Sequence, residues 1–250
     1  MAVNEMFLDS AAKRDSVVSI AKMLGYTPKS AICPTAILQL VASNVSGNPD
    51  SLTLPNGSTF SSTIDGTAYT FQTTAAHTSA KSASNTYTFS NIGITEGTKV
   101  TNTYTAASNT RYLVANANAD ITTMKVSVQE DPNNAAYIGY TLVDNIVNAG
   151  PTSRVFFTKE VEENLYEIEF GDNAIGFKPP NGATVKIEYC VSSLTAANNA
   201  KLFSYTGGSL GSATLNITTT SAASGGANQE SIDSIKFNAP KSFAAQNRAV

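Results

Sequence analysis

Alternation with a period of two residues constrains this chain more than any other feature. Between Leu165 and Phe170, Tyr166, Ile168 and Phe170 alternate with Glu167 and Glu169. Between Thr184 and Val191, Val185, Ile187, Tyr189 and Val191 alternate with Thr184, Lys186, Glu188 and Cys190. Successive side chains of a strand point to opposite faces, so this pattern predicts half-buried strands rather than helices. Val155-Phe156-Phe157 enters an earlier strand and Glu162-Glu163-Asn164 turns it. Gly171-Asp172-Asn173 breaks the next strand, and Pro179-Pro180-Asn181-Gly182 turns again. Three strands with one apolar face predict a small module that must pack on something further.

The same grammar holds upstream. Ala36 to Val41 is a short apolar run suited to a buried strand, and Leu52-Thr53-Leu54 leads into the turn Pro55-Asn56-Gly57-Ser58. Asp65-Gly66 between Thr59-Phe60 and Tyr69-Thr70-Phe71 predicts a hairpin. Tyr87-Thr88-Phe89, Ile92-Gly93-Ile94 and Met124 to Val128 continue the pattern, and a last strand is expected near Ala213 to Thr219. Thr73 to Asn85 is almost wholly small and polar and predicts a mobile loop. Ser224-Gly225-Gly226-Ala227 reads as a flexible joint. The fold class expected is mainly β with some α: an N-terminal helix, a β-rich body of one or two small sheet domains, and a short helical C-terminal arm.

Two segments break from strand periodicity. Leu8 to Tyr26 reads as one helix capped by Asp9 or Ser10 and stopped at Gly25, with Val17, Ala21 and Leu24 at helical spacing. That stripe needs a partner, and the expected one is upstream sequence, which makes Val17, Ala21 and Leu24 interface candidates. Gln229 to Ile235 predicts a short helix broken before Pro240. Along the chain the expected organisation is a helical segment over 1–28, a β-rich domain over 29–122, a β-hairpin module over 123–192, a return strand and loop over 193–224, and a Gly-jointed arm over 225–250.

Composition excludes several functions. Charged residues are only 14% of the 250 and the net charge is −3, so there is no basic stripe with which to displace counterions from nucleic acid. No run approaches the roughly 20 apolar residues that span a bilayer, and the N-terminus has no basic segment leading into an apolar one. Cys33 and Cys190 are far apart and outside any Cys-x-x-Cys pair, so they read as free thiols of a reducing cytosol.

Catalytic constellations are equally hard to assemble. Gly207-Gly208-Ser209-Leu210-Gly211 matches the G-x-S-x-G elbow, but a strand follows it and the single histidine, His77, lies far upstream. His77 has no Cys, Asp or His beside it, so no metal is expected. Glu160, Glu162, Glu163, Glu167, Glu169 and Asp172 read as a solvated face dispersed around a hairpin. Asn44-Val45-Ser46, Asn56-Gly57-Ser58 and Asn216-Ile217-Thr218 fit the glycosylation pattern by chance in a chain this rich in Ser and Thr. No enzymatic activity and no cofactor are expected.

Three ordered stretches carry a resemblance. They are Glu5 to Ala11 with Arg14, Val17-Val18 and Gly25-Tyr26-Thr27-Pro28-Lys29-Ser30; then Phe170-Gly171-Asp172-Asn173-Ala174-Ile175-Gly176 with Pro179-Pro180-Asn181-Gly182 and Val185 to Tyr189; then Gly225-Gly226-Ala227-Asn228-Gln229-Glu230-Ser231-Ile232 with Ala239-Pro240 and Gln246 to Val250, including Arg248. Together they resemble the baseplate wedge and baseplate J-like proteins of contractile-tailed bacteriophages. The resemblance implies a non-enzymatic subunit of the inner baseplate ring in the virion tail, assembled in the host cytoplasm. Its implied partners are a second copy of itself, other wedge subunits and neighbouring wedges, with no nucleic acid and no membrane. It further implies movement when the sheath contracts, and a C-terminal module beyond the Gly-jointed arm. Asp9, Arg14 and Arg248 are contact candidates there, or else caps and solvated charges. The alternative reading is a carbohydrate-binding or adhesin-like β protein of the same virion.

Overall fold

The computed structural model describes residues 2–143, 149–161, 164–208, 210 and 212–246. Glu162, Glu163, Ser209, Gly211 and residues 247–250, with Arg248 among them, lie outside the described residues. In chain order the elements are helix α1 (Arg14–Met23), then strands β1 (Thr35–Ser43), β2 (Ser51–Leu54), β3 (Thr59–Ile64), β4 (Thr67–Thr73), β5 (His77–Ala80), β6 (Tyr87–Glu96), β7 (Thr98–Thr105), β8 (Tyr112–Val114) and β9 (Ala119–Gln129). They continue with β10 (Ile138–Leu142), β11 (Val155–Val161), β12 (Leu165–Phe170), β13 (Thr184–Val191), β14 (Ser204–Tyr205), β15 (Thr214–Ser224) and helix α2 (Ile232–Gln246). The fold is mainly β, with a short N-terminal helix, a β-rich body and a C-terminal helix.

Two compact units share these elements, and each gathers distant segments. One comprises 32–98 and 190–228; the other comprises 1–31, 99–189 and 229–250. The first holds a six-stranded sheet in the order β14-β3-β4-β6-β1-β15 and a two-stranded ribbon, β2-β5. Asp65 (φ 48°) and Gly66 (φ 82°) close the β3–β4 hairpin, with Ile64 paired to Thr67, so the two-residue turn expected from Asp-Gly is present. Leu38, Leu40, Leu54, Phe60, Phe71, Tyr87, Ile92 and Ile94 are fully buried in its core. Phe71 meets Phe203 edge to face at 5.0 Å. Each large side chain so buried contributes about 2–3 kcal/mol against exposure.

Two expectations fail in this unit. Thr73 to Asn85 is not simply a loop: β5 lies within it, pairing Ser51 with Ala80 and Leu54 with His77. The neighbouring strand supplies the backbone partners, so small polar residues suffice there. The Gly-Gly joint is clamped rather than flexible. Asn198 donates to the Gly226 carbonyl at 2.9 Å and accepts from the Gly226 N–H at 3.0 Å, while Ala227 and Ile32 exchange backbone hydrogen bonds. A Cβ on Gly226 would stand 2.3 Å from Pro34 Cγ and 2.4 Å from the Leu194 carbonyl oxygen, so close packing explains the glycine.

The second unit holds a seven-stranded sheet in the order β7-β13-β9-β10-β11-β12-β8. β11 and β12 form the expected hairpin, pairing Phe156 with Phe170 and Glu160 with Tyr166. β13 does not extend that hairpin; it lies between β7 and β9. The sheet curls until its two edge strands meet. Tyr104 on β7 packs edge to face on Tyr112 of β8 at 5.6 Å and donates its hydroxyl to the Leu113 carbonyl. Tyr112 and Tyr140 each meet Phe170 in the same geometry, at 5.1 and 5.3 Å, so aromatic side chains line the barrel-like interior.

The helices of this unit differ from expectation. α1 begins at Arg14, not near Leu8, and neither Asp9 nor Ser10 caps it. Glu5, from a 3-10 turn over Ala2–Met6, instead accepts from the backbone N–H groups of Ala12 and Lys13 at 3.1 and 3.2 Å. Gly25 (φ 76°) does stop the helix, through Gly25 N–H to Lys22 O and Tyr26 N–H to Ala21 O, each 2.9 Å. α2 runs through Pro240 to Gln246. A proline inside a helix forfeits one backbone bond, yet Ile235 and Ala239 are buried against α1, which holds the helix together.

Candidate functional site

The first and third of the resembling stretches meet in the second unit. Val17, Ala21, Ile235 and Ala239 are fully buried in one cluster, with Leu24, Tyr26 and Ile232 packed against it. The apolar stripe of α1 is therefore covered by α2 of the same chain at Val17 and Ala21, while Leu24 is only partly buried. Ser231 starts α2 by accepting from the Ser234 N–H at 3.2 Å.

Beside this apolar seam lies a polar network centred on Glu230. Its carboxylate accepts from Tyr26 Oη (2.7 Å), Ser234 Oγ (2.7 Å), Asn238 Nδ2 (3.1 Å) and the Lys29 N–H (3.1 Å). Burial works against the charge of Glu230, but these donors outweigh it and hold the carboxyl below the usual glutamate range. Tyr26, desolvated and donating to that carboxylate, is pushed up to about 12. Arg14 donates to the Glu230 main-chain carbonyl and to both carboxylate oxygens of Glu160 on β11. Gln229 Nε2 donates to Tyr166 Oη at 3.1 Å. Pro28 is buried, and Ser30 Oγ accepts from the Ile121 N–H at 3.2 Å.

Glu160 is thus no part of a solvated face. It shares a face of β11 with Phe156, which was the available signal in the sequence, and its side chain is 3% exposed. Glu167 is held by Arg111 through two bonds of 2.9 Å, and Glu169 lies 3.7 Å from Lys159. Asp172 is exposed and accepts from the Ala174 and Ile175 N–H groups, both at 2.9 Å, so it shapes the turn.

The second stretch forms turns of the same unit. A Cβ on Gly171 would stand 2.1 Å from the Gly176 carbonyl oxygen, and Gly176 (φ 81°) closes the loop with a bond from the Asn173 N–H to its carbonyl. Pro179 is buried, Pro180 exposed, and Gly182 (φ 86°) donates to the Ala106 carbonyl at 2.8 Å. Gly225 (φ 84°) turns β15 into the clamped Gly226 in the other unit. The sequence alone could not show that residues of the first and third stretches share one carboxylate, since Tyr26 and Glu230 are 204 positions apart.

An open groove of about 660 Å³ lies beside α1, lined by Val18, Lys22, Leu113, Lys159, Val161 and Leu165 among others. α1 and α2 leave Met23, Phe237 and Phe243 exposed at 76%, 65% and 48%. In the first unit a cleft of about 510 Å³ includes Tyr205, but the ring lies against Gly207, where a Cβ would be 2.6 Å from its Cζ. Among the described residues no group of three or more His, Cys, Asp and Glu is placed to hold a metal, and no helix is long and apolar enough to cross a membrane. The arrangement offers packing surfaces and rigid joints.

Over 222 residues the chain is 27% identical to the baseplate wedge protein gp6 of Enterobacteria phage T4, covering 82% of this chain and 33% of that protein. It therefore spans about a third of the length of that curated relative, and the relationship is to a baseplate wedge protein. No family model matches the chain.

Proposed function

We propose that this chain is a structural subunit of the baseplate wedge of a contractile phage tail, of the baseplate J-like kind, and acts by exchanging protein interfaces rather than by chemistry. The observation that carries this reading is the similarity to gp6 across most of the chain. In the finer form of the proposal it sits in the inner baseplate ring of the virion, pairs with a second copy, binds other wedge subunits and links neighbouring wedges. It would be assembled in the host cytoplasm and relay the switch that triggers sheath contraction.

The fold supports such a role. The Arg14–Glu160–Glu230 network ties both helices to β11, giving a stiff platform from which Met23, Phe237 and Phe243 project toward a partner. Coexpression with the other wedge proteins of the same phage tests the reading. Co-elution in a defined complex is expected, weakened by Phe237→Ser with Phe243→Ser; a chain that elutes alone beside every wedge protein would refute it.

A further inference from the structure

We propose that two copies of this chain join edge to edge through Thr214–Thr218 of β15, antiparallel about a two-fold axis at Asn216. β15 is the last strand of its sheet and, among the described residues, pairs only with β1. An open edge is a template for another strand, and proteins normally blunt it with charge, proline, bulges or a covering segment. β15 contains no charged residue and no proline.

Its C-terminal half is nonetheless protected. The register against β1 shifts twice between Thr219 and Ser224, and the Ala223 backbone exchanges bonds with Asn199 and Ala200 at 2.7 and 2.9 Å. Neither device reaches Thr214–Thr218, where the register is regular. There Leu215 and Ile217 are only partly buried against the core, and one more strand would cover them. Leu202, 84% exposed, is the next residue after Lys201, whose carbonyl accepts from Thr219 Oγ1, so a large apolar side chain stands close to the open edge.

The occupant is identified by the strand itself. Turned antiparallel on its own copy, Thr214 faces Thr218, Leu215 faces Ile217, and Asn216 faces Asn216. Apolar meets apolar, hydroxyl meets hydroxyl, and a strand without charge brings no like charges together across the axis. At the opposite end of the sheet β14 covers only Phe60 and Ser61 of β3, and the uncovered remainder, Ser62 to Ile64, is three residues long and runs directly into the Asp65-Gly66 turn. Five residue pairs with Leu202 beside them fall short of the roughly 800 Å² per partner of a standard interface, so the dimer is weak and depends on concentration.

This gives a surface to the second copy named above, but self-association is measured on the chain alone, so its failure leaves co-assembly with wedge proteins to be judged separately. In sedimentation velocity over a concentration series, the unmodified chain is expected to show a monomer–dimer equilibrium. Asn216 is exposed, so Asn216→Lys and Asn216→Asp should fold normally by circular dichroism. Each alone should weaken dimerisation by about tenfold or more, and an equimolar mixture should restore it. Asn216→Cys should cross-link on oxidation well above the parent chain, and Ser61→Cys, on β3 where β14 and β4 pair it on both sides, should not. The proposal is overturned by a monomer at all concentrations, or by a dimer that both charged variants leave unchanged.

Discussion

Arg14 keeps a carboxylate inside the second unit. The side chains of Arg14 and Glu160 are 13% and 3% exposed, so removing the guanidinium leaves a buried negative charge with nothing to balance it. Breaking such a pair from one side costs about 3–5 kcal/mol, whereas replacing both members by apolar groups is close to neutral. Arg14→Met is therefore expected to lower the unfolding free energy in urea by about 3 kcal/mol, and Arg14→Met with Glu160→Leu to recover most of that loss. If the double variant is no better than the single one, lost packing rather than an orphaned charge is responsible. Glu230 makes a pH prediction of the same kind. Its carboxyl is held below the ordinary 4.5, so its stabilisation is fully present above that pH and is lost as the pH falls through the lowered value. Glu230→Gln should be less stable than the parent at pH 7, and denaturation across an acid series should show the two converging below about pH 4.5.

At the scale of elements, β15 ends in a clamp built around Gly226. Ala at this position would drive its Cβ into Pro34 and the Leu194 carbonyl, both nearer than 2.5 Å, and one of these groups is backbone. Gly226→Ala should therefore destabilise by about 2 kcal/mol or more in thermal unfolding, because overpacking of this kind forces backbone shifts. Gly208→Ala, which meets nothing within 4 Å, is the control and should be close to neutral. The sequence misleads here because a glycine that permits close approach and a glycine in a loose linker are spelled alike. Hairpins were legible for the opposite reason: the Asp65-Gly66 turn and the alternation in β12 and β13 are local, and each residue's face follows from its neighbours. The start of α1 was not legible, since the cap comes from Glu5, several residues outside the helix. The pairing of β2 with β5 and the sharing of Glu230 by Tyr26, Lys29 and α2 are long-range facts that no periodicity encodes.

At the scale of the whole molecule, the chain enters and leaves the 32–98 and 190–228 unit at paired points. Ile32 and Ala227, at one entry and one exit, exchange two backbone hydrogen bonds of 3.0 and 3.1 Å. Gly97 and Val191, at the other pair, approach so closely that a Cβ on Gly97 would stand 2.6 Å from the Val191 carbonyl oxygen. Glu96 reinforces this second pair by accepting from the Ser193 N–H at 3.0 Å. Because both pairs of ends are already adjacent, closing either costs little loop entropy. The unit also has its own core, with Phe60, Phe71, Tyr87 and Leu38 fully buried inside it. Residues 32–98 joined to 190–228 by a short glycine linker are therefore expected to fold alone, with a single cooperative thermal transition and dispersed amide resonances. A collapsed species without fixed side-chain signals would mean that the sheet depends on the rest of the chain, and that the two units fold as one cooperative body despite their separate cores.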